Sequence, residues 1–492
     1  MKKYLAVFAV ALLIAGCIAG AGCISSQQDN SQEISDELSY FYELNKIPRP
    51  SGELDQIQTY LLDFAQKNGL QAEKDATGNI LIHHPGKTEK KVILQAHQDM
   101  VPAVEDGYTF DFSKDAITTY IDEDGWLHAN HTSLGADDGC GIAIILSALA
   151  SEDLADITFD GLFTVDEETS MAGAINLSPD WLQADYFINL DGEFFERSDI
   201  SSAGLGTVTV TAVPETEPST GTWYTLTVSN LLGGHSGIEI DSGRMNALRS
   251  VVDFLSSLHD VSIASFDSGT RLNAIPDKAT VLFTASDDNL AELAAAFREK
   301  TVLPTDSDLK VTVTQADPPQ KAYTKAFSKK LIDYIKSFEN GVLEKDEYGV
   351  KTSLNTAVLN ADATDVTLTC SIRSSVTETI EGLLDNLSQK AERAGFTAES
   401  SMSAAGWVAD TSNELFTVFT DCYTELFGVE PELTSVHAGL ECGHISAKNP
   451  NLPILECGPD IRNPHTINEK VNLDTFAKVN DLVRLLLTRL TL

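Results

Sequence analysis

Two textures of hydrophobic and polar positions alternate along this chain. "ELSYFYELNKI" and "LDQIQTYLLDFAQKNGL" carry apolar residues at helical spacing, the second stopping at Gly69. "NILIHHPG" and "KKVILQAH" are short strands around a Gly/Lys turn, and "GCGIAIILSALASE" (Gly139 to Glu152) has the continuous apolar character of a buried helix. "ITFDGLFTV" and "DYFINLD" are further apolar strands with a helical stretch between them. Strands and helices alternating at this spacing predict an α/β layer with a mostly parallel sheet and helices on both faces.

From about Gly206 the pattern changes. "GTVTVTAV", "WYTLTVSN", "KATVLFTAS", "LKVTVTQA" and "DVTLTCSIRSS" alternate apolar and polar residues, as half-exposed antiparallel strands do. Helices such as "MNALRSVVDFLSSLHD" and "NLAELAAAFREKT" are interspersed. An Asn ahead of an alternating strand recurs in "RLNAIPDKATVLFTAS" and "SLNTAVLNADATDVTLTCSIR", a weak internal repeat. After Ser403 the first texture returns, closing with the helical "LDTFAKVNDLVRLLLTRL". The economical division is one α/β domain in two parts, 36–205 and 397–492, interrupted by an inserted α+β domain with an antiparallel sheet over 206–396.

Composition narrows the function classes. Hydrophobic content of 42% and charged content of 22% suit a soluble globular protein of 492 residues with more than one core. The net charge of −39 argues against nucleic acid or an anionic membrane surface as partner. At the N-terminus, "MKKYLAVFAVALLIAGC" has two lysines, an apolar run and small residues before a Cys. This is the pattern of a secretory leader over 1–23, and of the lipobox of prokaryotic lipoproteins, with Cys17 as the lipidated residue and Cys23 as a second candidate. A plain cleaved signal is the alternative. Residues 24–35 form a polar tether, and the expectation is an extracytoplasmic protein held to the membrane only through an N-terminal lipid. The remaining cysteines, at 140, 370, 422, 442 and 457, form no CxxC pair and are odd in number, which argues against a disulfide framework or a structural zinc site.

In open α/β sheets, ligands bind beyond the carboxyl ends of the strands. After "KVILQA" come His97 and Asp99, and at the start of the buried helix comes Asp137. After "GLFTV" come Glu167 and Glu168, after "YFINL" comes Asp191, and beyond "LPILECGPDIRNP" comes His465. Each alone could be a cap or a solvated loop residue, but five such sites converging are harder to explain that way. Two imidazoles among several carboxylates are what two zinc-like ions need, one carboxylate bridging ions about 3.5 Å apart.

The resemblance is specific. "LQAHQDMV", "TSLGADDGCGIA", "DEETSMAGA", "INLDGE", "GGHSG", "RLNAIP", "HAGLECG" and "NPHTINEKV" occur in the order seen in aminoacyl-histidine dipeptidases, which are carnosinase-like members of the aminoacylase/carboxypeptidase-type family of co-catalytic zinc exopeptidases. It runs from about Asp36 to the C-terminus. It implies a zinc-exopeptidase-like fold with the inserted domain as a lid, and two divalent metal ions, by default Zn2+, with Mn2+ or Co2+ as substitutes. It implies that His97 and Asp191 hold one ion, Glu168 and His465 the other, and that Asp137 bridges them. Asp99 would hold the far nitrogen of His97, and Glu167 would be the general base. From the lid, His235 would steady the oxyanion, within the chain or across a homodimer, with glycines 233, 234 and 237 allowing close approach. Asn273 and Arg373 would hold the substrate carboxylate, and His437 and Glu441 would line the pocket.

The chain departs from the family pattern at Ala96, where Gly is common, at Gln98, where an apolar residue is common, and at Asp138, where Asn is common. The function implied is hydrolysis of short peptides, Xaa-His or β-alanyl-His among them. The rivals are another branch of the same superfamily (tripeptidase, carboxypeptidase or N-acyl amino acid deacylase) and a peptide-capturing lipoprotein without catalysis.

Overall fold

Strict period-two alternation in the first-half strands gives one sheet two apolar faces. Val92, Leu94 and Ala96 of the strand Val92–His97 point into one core and Ile93 into another. Phe159 and Phe163 oppose Leu162, and Tyr186 and Ile188 oppose Phe187, in the same sense. Each face is covered by helices whose apolar residues the sheet buries. On the first lie Ala136–Leu149, Leu473–Thr491 and Glu414–Phe427; on the second lie Ala172–Asn176 and Glu441–Lys448.

The computed structural model describes residues 34–492, and Asp36–Leu492 form one compact unit. The leader with Cys17, and nearly all of the tether, lie outside the described residues. Among the described residues the first sheet has six strands, in the order Gln71–Lys74, Ile80–His84, Phe159–Thr164, Val92–His97, Tyr186–Asn189, Ile454–Glu456. The last four run parallel, and the first two join antiparallel as a hairpin edge. The parallel strands therefore all present their carboxyl ends to one side, which places His97, Val165 to Glu168, Leu190 to Asp191 and Cys457 onward in one neighbourhood.

The second sheet is antiparallel throughout and has nine strands among the described residues, lying between Gly204 and Ala404. Its long pair, Val350–Ala361 with Val366–Ser374, runs in register from Thr352 against Ser374 to Ala361 against Val366, with one bulge. Helices Ala247–Ser256, Lys325–Lys336 and Thr377–Arg393 bury Val251, Leu255, Leu331, Ile335, Ile380 and Leu387 in a core of its own. The two halves of the repeat differ locally. Asn273 is exposed in a turn, whereas Asn355 is buried inside the long strand, so the likeness is one of alternation and not of a shared unit. No helix among the described residues is long and apolar enough to cross a membrane. All five cysteines from 140 onward are buried and unpaired.

Phe187 is fully buried, so Phe187→Ala should remove about 3–5 kcal/mol of stability through the cavity it leaves. At exposed Ile121, a change to Ser should stay within about 0.5 kcal/mol. Urea unfolding midpoints check both.

Candidate dinuclear metal site

The buried helix Ala136–Leu149 starts irregularly. Asp137 (φ −84°, ψ 108°) and Asp138 (φ −109°, ψ 42°) are not helical, so the regular turns begin near Gly139, where the apolar pattern begins. The kink turns Asp137 toward the strand ends. Its two carboxylate oxygens are divided: Oδ1 lies 2.9 Å from Nε2 of His97, and Oδ2 lies 3.0 Å from Nε2 of His465. Asp191 Oδ1 stands 3.3 Å from the same His97 nitrogen, and Glu168 Oε2 stands 2.8 Å from the same His465 nitrogen. The five residues thus fall into two groups sharing Asp137: His97, Asp137, Asp191, and Asp137, Glu168, His465. Glu167 keeps a carboxylate oxygen within 4.8 Å of ligand atoms of His97 and Glu168.

Three buried groups brace this arrangement. Asp99 faces Nδ1 of His97 at 3.4 Å, and its oxygens accept the hydroxyl of Ser51 (2.7 Å) and the backbone N–H groups of Glu167 (3.0 Å) and Glu168 (3.3 Å). One carboxylate therefore lies against an imidazole and also positions the turn that carries the two glutamates. Glu469 accepts four backbone N–H groups, from Leu134 (2.8 Å), Gly135 (2.9 Å), Ala136 (2.7 Å) and Asp137 (3.3 Å). Arg49, fully buried, donates to the carbonyls of Gln98, Asp99 and Gly135, tying the His97 loop to the Asp137 loop. None of the three roles of Glu469, Arg49 and Ser51 is anticipated above. Glu469 lies inside the quoted "NPHTINEKV", and Arg49 sits between two prolines in a chain poor in basic residues, which are the only local signals.

Two of the three departures from the family pattern, Gln98 and Asp138, have structural explanations. Gln98 donates to the carbonyls of Phe163 (2.7 Å) and Gly78 (3.1 Å), closing strand ends that an apolar residue would leave unpaired. Asp138 accepts the N–H groups of Gly141 (2.9 Å) and His97 (3.3 Å). Asp166, directly before the two glutamates, has φ 53° and accepts the N–H of Gly52 at 2.8 Å. It stabilises the turn that aims its two neighbours.

Electrostatics describe a site short of positive charge. Burial, and then its acidic neighbours Asp137 and Asp138, hold Asp191 well above the usual carboxylate range, against the pull of His97. Burial pushes Glu167 up to about 8, with Glu441, Asp137 and Glu168 adding to it, and burial lifts Glu168 as well. Glu193, two residues after Asp191, is pushed up to about 7 by burial and by Asp137. Burial alone would lower His97, yet Asp191, Asp137 and Asp99 raise it well above normal. Glu168 Oε1 is buried without a hydrogen-bond partner. Carboxylates crowded in this way need cations, and two imidazoles with three carboxylates are the donor set of a pair of borderline dications. The residues present fit two such ions.

A second group of predicted residues gathers where the end of the long strand Val366–Ser374 meets the short strand Gly234–His235 and the segment after Glu432–Val436. His235, Arg373 and His437 meet around Gly237, where a Cβ would run into the His437 carbonyl, His235 Cε1 and Arg373 Nε. Arg373 Nε is buried and unpartnered, and His437 Nε2 pairs with the Ser353 hydroxyl at 2.8 Å. Burial, then Arg373, pushes His437 down to about 4. Asn273 is exposed beside this group, its carbonyl accepting the Ser236 N–H at 2.9 Å. Glu441 stands apart from it. It is buried, accepts from Gln95 (2.7 Å) and Thr164 (2.6 Å), and is pushed up to about 7, chiefly by burial. Among the described residues no hydrogen bond joins the metal-ligand group to the His235 group.

Residues 93–489 match the family model described as peptidase family M20/M25/M40. The chain belongs to this peptidase family. A relative from Escherichia coli K12, named cytosol non-specific dipeptidase, is 32% identical over 455 residues, covering 88% of this chain and 93% of its own. The crystal structure of the aminoacylhistidine dipeptidase from Vibrio alginolyticus is also 32% identical, with a TM-score of 0.86 over 92% of this chain and 96% of that one. An aminopeptidase of Bacillus cereus, at 16% identity and a TM-score of 0.55, shares the fold. The extracytoplasmic, lipid-anchored location expected from the leader is corrected by the E. coli relative, whose name places it in the cytosol. The leader pattern concerned only residues 1–23, whereas the likeness covers most of the chain.

Because Glu469 holds the Asp137 loop by its backbone, Glu469→Gln should lower metal affinity by about 10–100-fold without loss of helical circular dichroism. Calorimetric titration of the metal-free protein measures this. Unchanged affinity would show that the four amides do not set the position of Asp137.

Proposed function

We propose that this M20 chain is a metal-dependent dipeptidase that hydrolyses the peptide bond of short peptides, Xaa-His among them. The observation that carries this reading is the division of Asp137 between His97 and His465, with Glu167 alongside and outside both ligand groups. The 32% identity to two dipeptidases along most of the chain supports it.

His97 with Asp191 would hold one ion, Glu168 with His465 the other, and Asp137 both; the imidazole and carboxylate donors favour zinc. When bound, two divalent cations polarise the scissile carbonyl, acidify the attacking water and favour the ionised form of neighbouring carboxylates. Glu167 takes a proton from that water on its carboxylate and delivers it to the departing amine nitrogen. Asp99 keeps the proton of His97 on Nδ1, so that Nε2 stays free as a donor of electrons. Arg373, whose buried Nε has no partner, takes the substrate's carboxylate, with Asn273 beside it. The antiparallel domain acts as the lid, and His235 steadies the oxyanion from it.

Glu167→Ala should lower kcat by at least about 10²–10⁴-fold while both ions remain bound. A full-length chain assayed on Xaa-His dipeptides, other dipeptides, tripeptides and N-acyl amino acids separates the branches of the family. Full activity of Glu167→Ala, or hydrolysis confined to N-acyl amino acids, would overturn the reading.

A further inference from the structure

His235 lies in "GGHSG", a loop with three glycines that has no intrinsic reason to hold a ring in one orientation. Two charged side chains clamp it. Arg244 donates through Nη1 to the Gly233 carbonyl and through Nη2 to Glu239 Oε1. The other oxygen of Glu239 accepts the His235 N–H at 2.7 Å, and the Glu239 N–H donates to the His235 carbonyl at 3.1 Å. Both main-chain groups of His235 are therefore held by one residue, itself held by Arg244. Gly234, at φ 126°, packs so closely on this pair that a Cβ would collide with the Glu239 carboxylate and the Arg244 guanidinium.

With the backbone fixed, the imidazole closes on its own turn. Nδ1 faces the backbone N–H groups of Gly237 at 3.2 Å and Ile238 at 3.1 Å. A nitrogen that accepts two N–H groups cannot carry a proton itself, so the neutral ring must carry it on Nε2. Burial of the ring opposes a second proton, as does Arg373, whose Nε approaches the same side of Gly237. The result is a ring that can only donate through Nε2, which suits a developing oxyanion and not proton abstraction.

We propose that Glu239 and Arg244 are positioning residues that lock His235 in the tautomer bearing its proton on Nε2. This rests on the dipeptidase reading for the use of the donor, but the lock is a property of the free protein. The test uses full-length chain with 15N-labelled histidine, the His235 signals being assigned from His235→Ala. In the wild type, Nδ1 should give the pyridine-type signal and Nε2 the pyrrole-type signal. Arg244→Ala and Glu239→Ala should each mix the tautomers and lower kcat on the order of 10²-fold, with KM little changed. Glu239→Gln, which keeps an acceptor for the His235 N–H, should recover part of the rate and guards against misfolding of the alanine variants. A pyrrole-type Nδ1 in the wild type, or unchanged kcat in both alanine variants, would overturn the proposal. A chain that hydrolyses no peptide but shows the pyridine-type Nδ1 supports the lock and overturns only the dipeptidase reading.

Discussion

Two imidazoles sharing one buried carboxylate set the terms for the rest of this fold. Asp137 cannot reach both His97 and His465 from a regular helix, because a helical residue presents its side chain to one face. The first residues of Ala136–Leu149 therefore leave helical geometry, and the N–H groups this frees must find acceptors in a buried place. Glu469 supplies them, four residues beyond His465, so one short loop touches Asp137 both through its side chain and through its backbone. Arg49 and Asp99 do the equivalent for the loop after His97 and for the turn at Glu167. Burying Asp99, Asp137, Glu168 and Asp191 together would be prohibitive if they were left uncompensated. Backbone amides compensate the bracing carboxylates, and the ligand carboxylates are left for cations.

Much of this was legible in the sequence, for definable reasons. Period-two alternation separates Ile93, Leu162 and Phe187 from their neighbours, and with it the two faces of the first sheet. The candidates His97, Glu167, Glu168 and Asp191 were legible because a parallel sheet sends the residues after each strand to one side, whereas Asp137, at a helix start, and His465, beyond a short antiparallel pair, come from outside that sheet. Glu469 and Arg49 were not found because their partners are main-chain groups of distant residues, Leu134 to Asp137 and Gln98 to Gly135, which no spacing encodes. The buried helix was legible from its apolar run over Gly139–Glu152, whereas the observed element is Ala136–Leu149, with Asp137 and Asp138 out of helical geometry near its start. The leader misled on location because its composition bears on the first residues alone.

The group around Gly237 is a different kind of site, drawn from three separate sheets. Around Gly237 the groups are cationic or donor-rich: Arg373 with an unpartnered Nε, His437 held neutral, and His235 turned on its own backbone. The metal-ligand group is acidic. Under the proposed function the division follows the charge of a dipeptide in hydrolysis, with a carboxylate and an oxyanion met by the donors around Gly237 and the attacking water managed by carboxylates at the ends of the parallel strands. Val436 to Glu441 runs from His437, in the first set, to Glu441, which lies near enough to His97 and Asp99 to feel their charge.

Under the proposed function Asp137 joins two separate ion sites. The metal content of the purified, reconstituted chain decides this, measured for the wild type and for His97→Ala and His465→Ala. Wild type should carry two ions per chain and each variant one. A single ion in the wild type, or two ions retained in either variant, would contradict it.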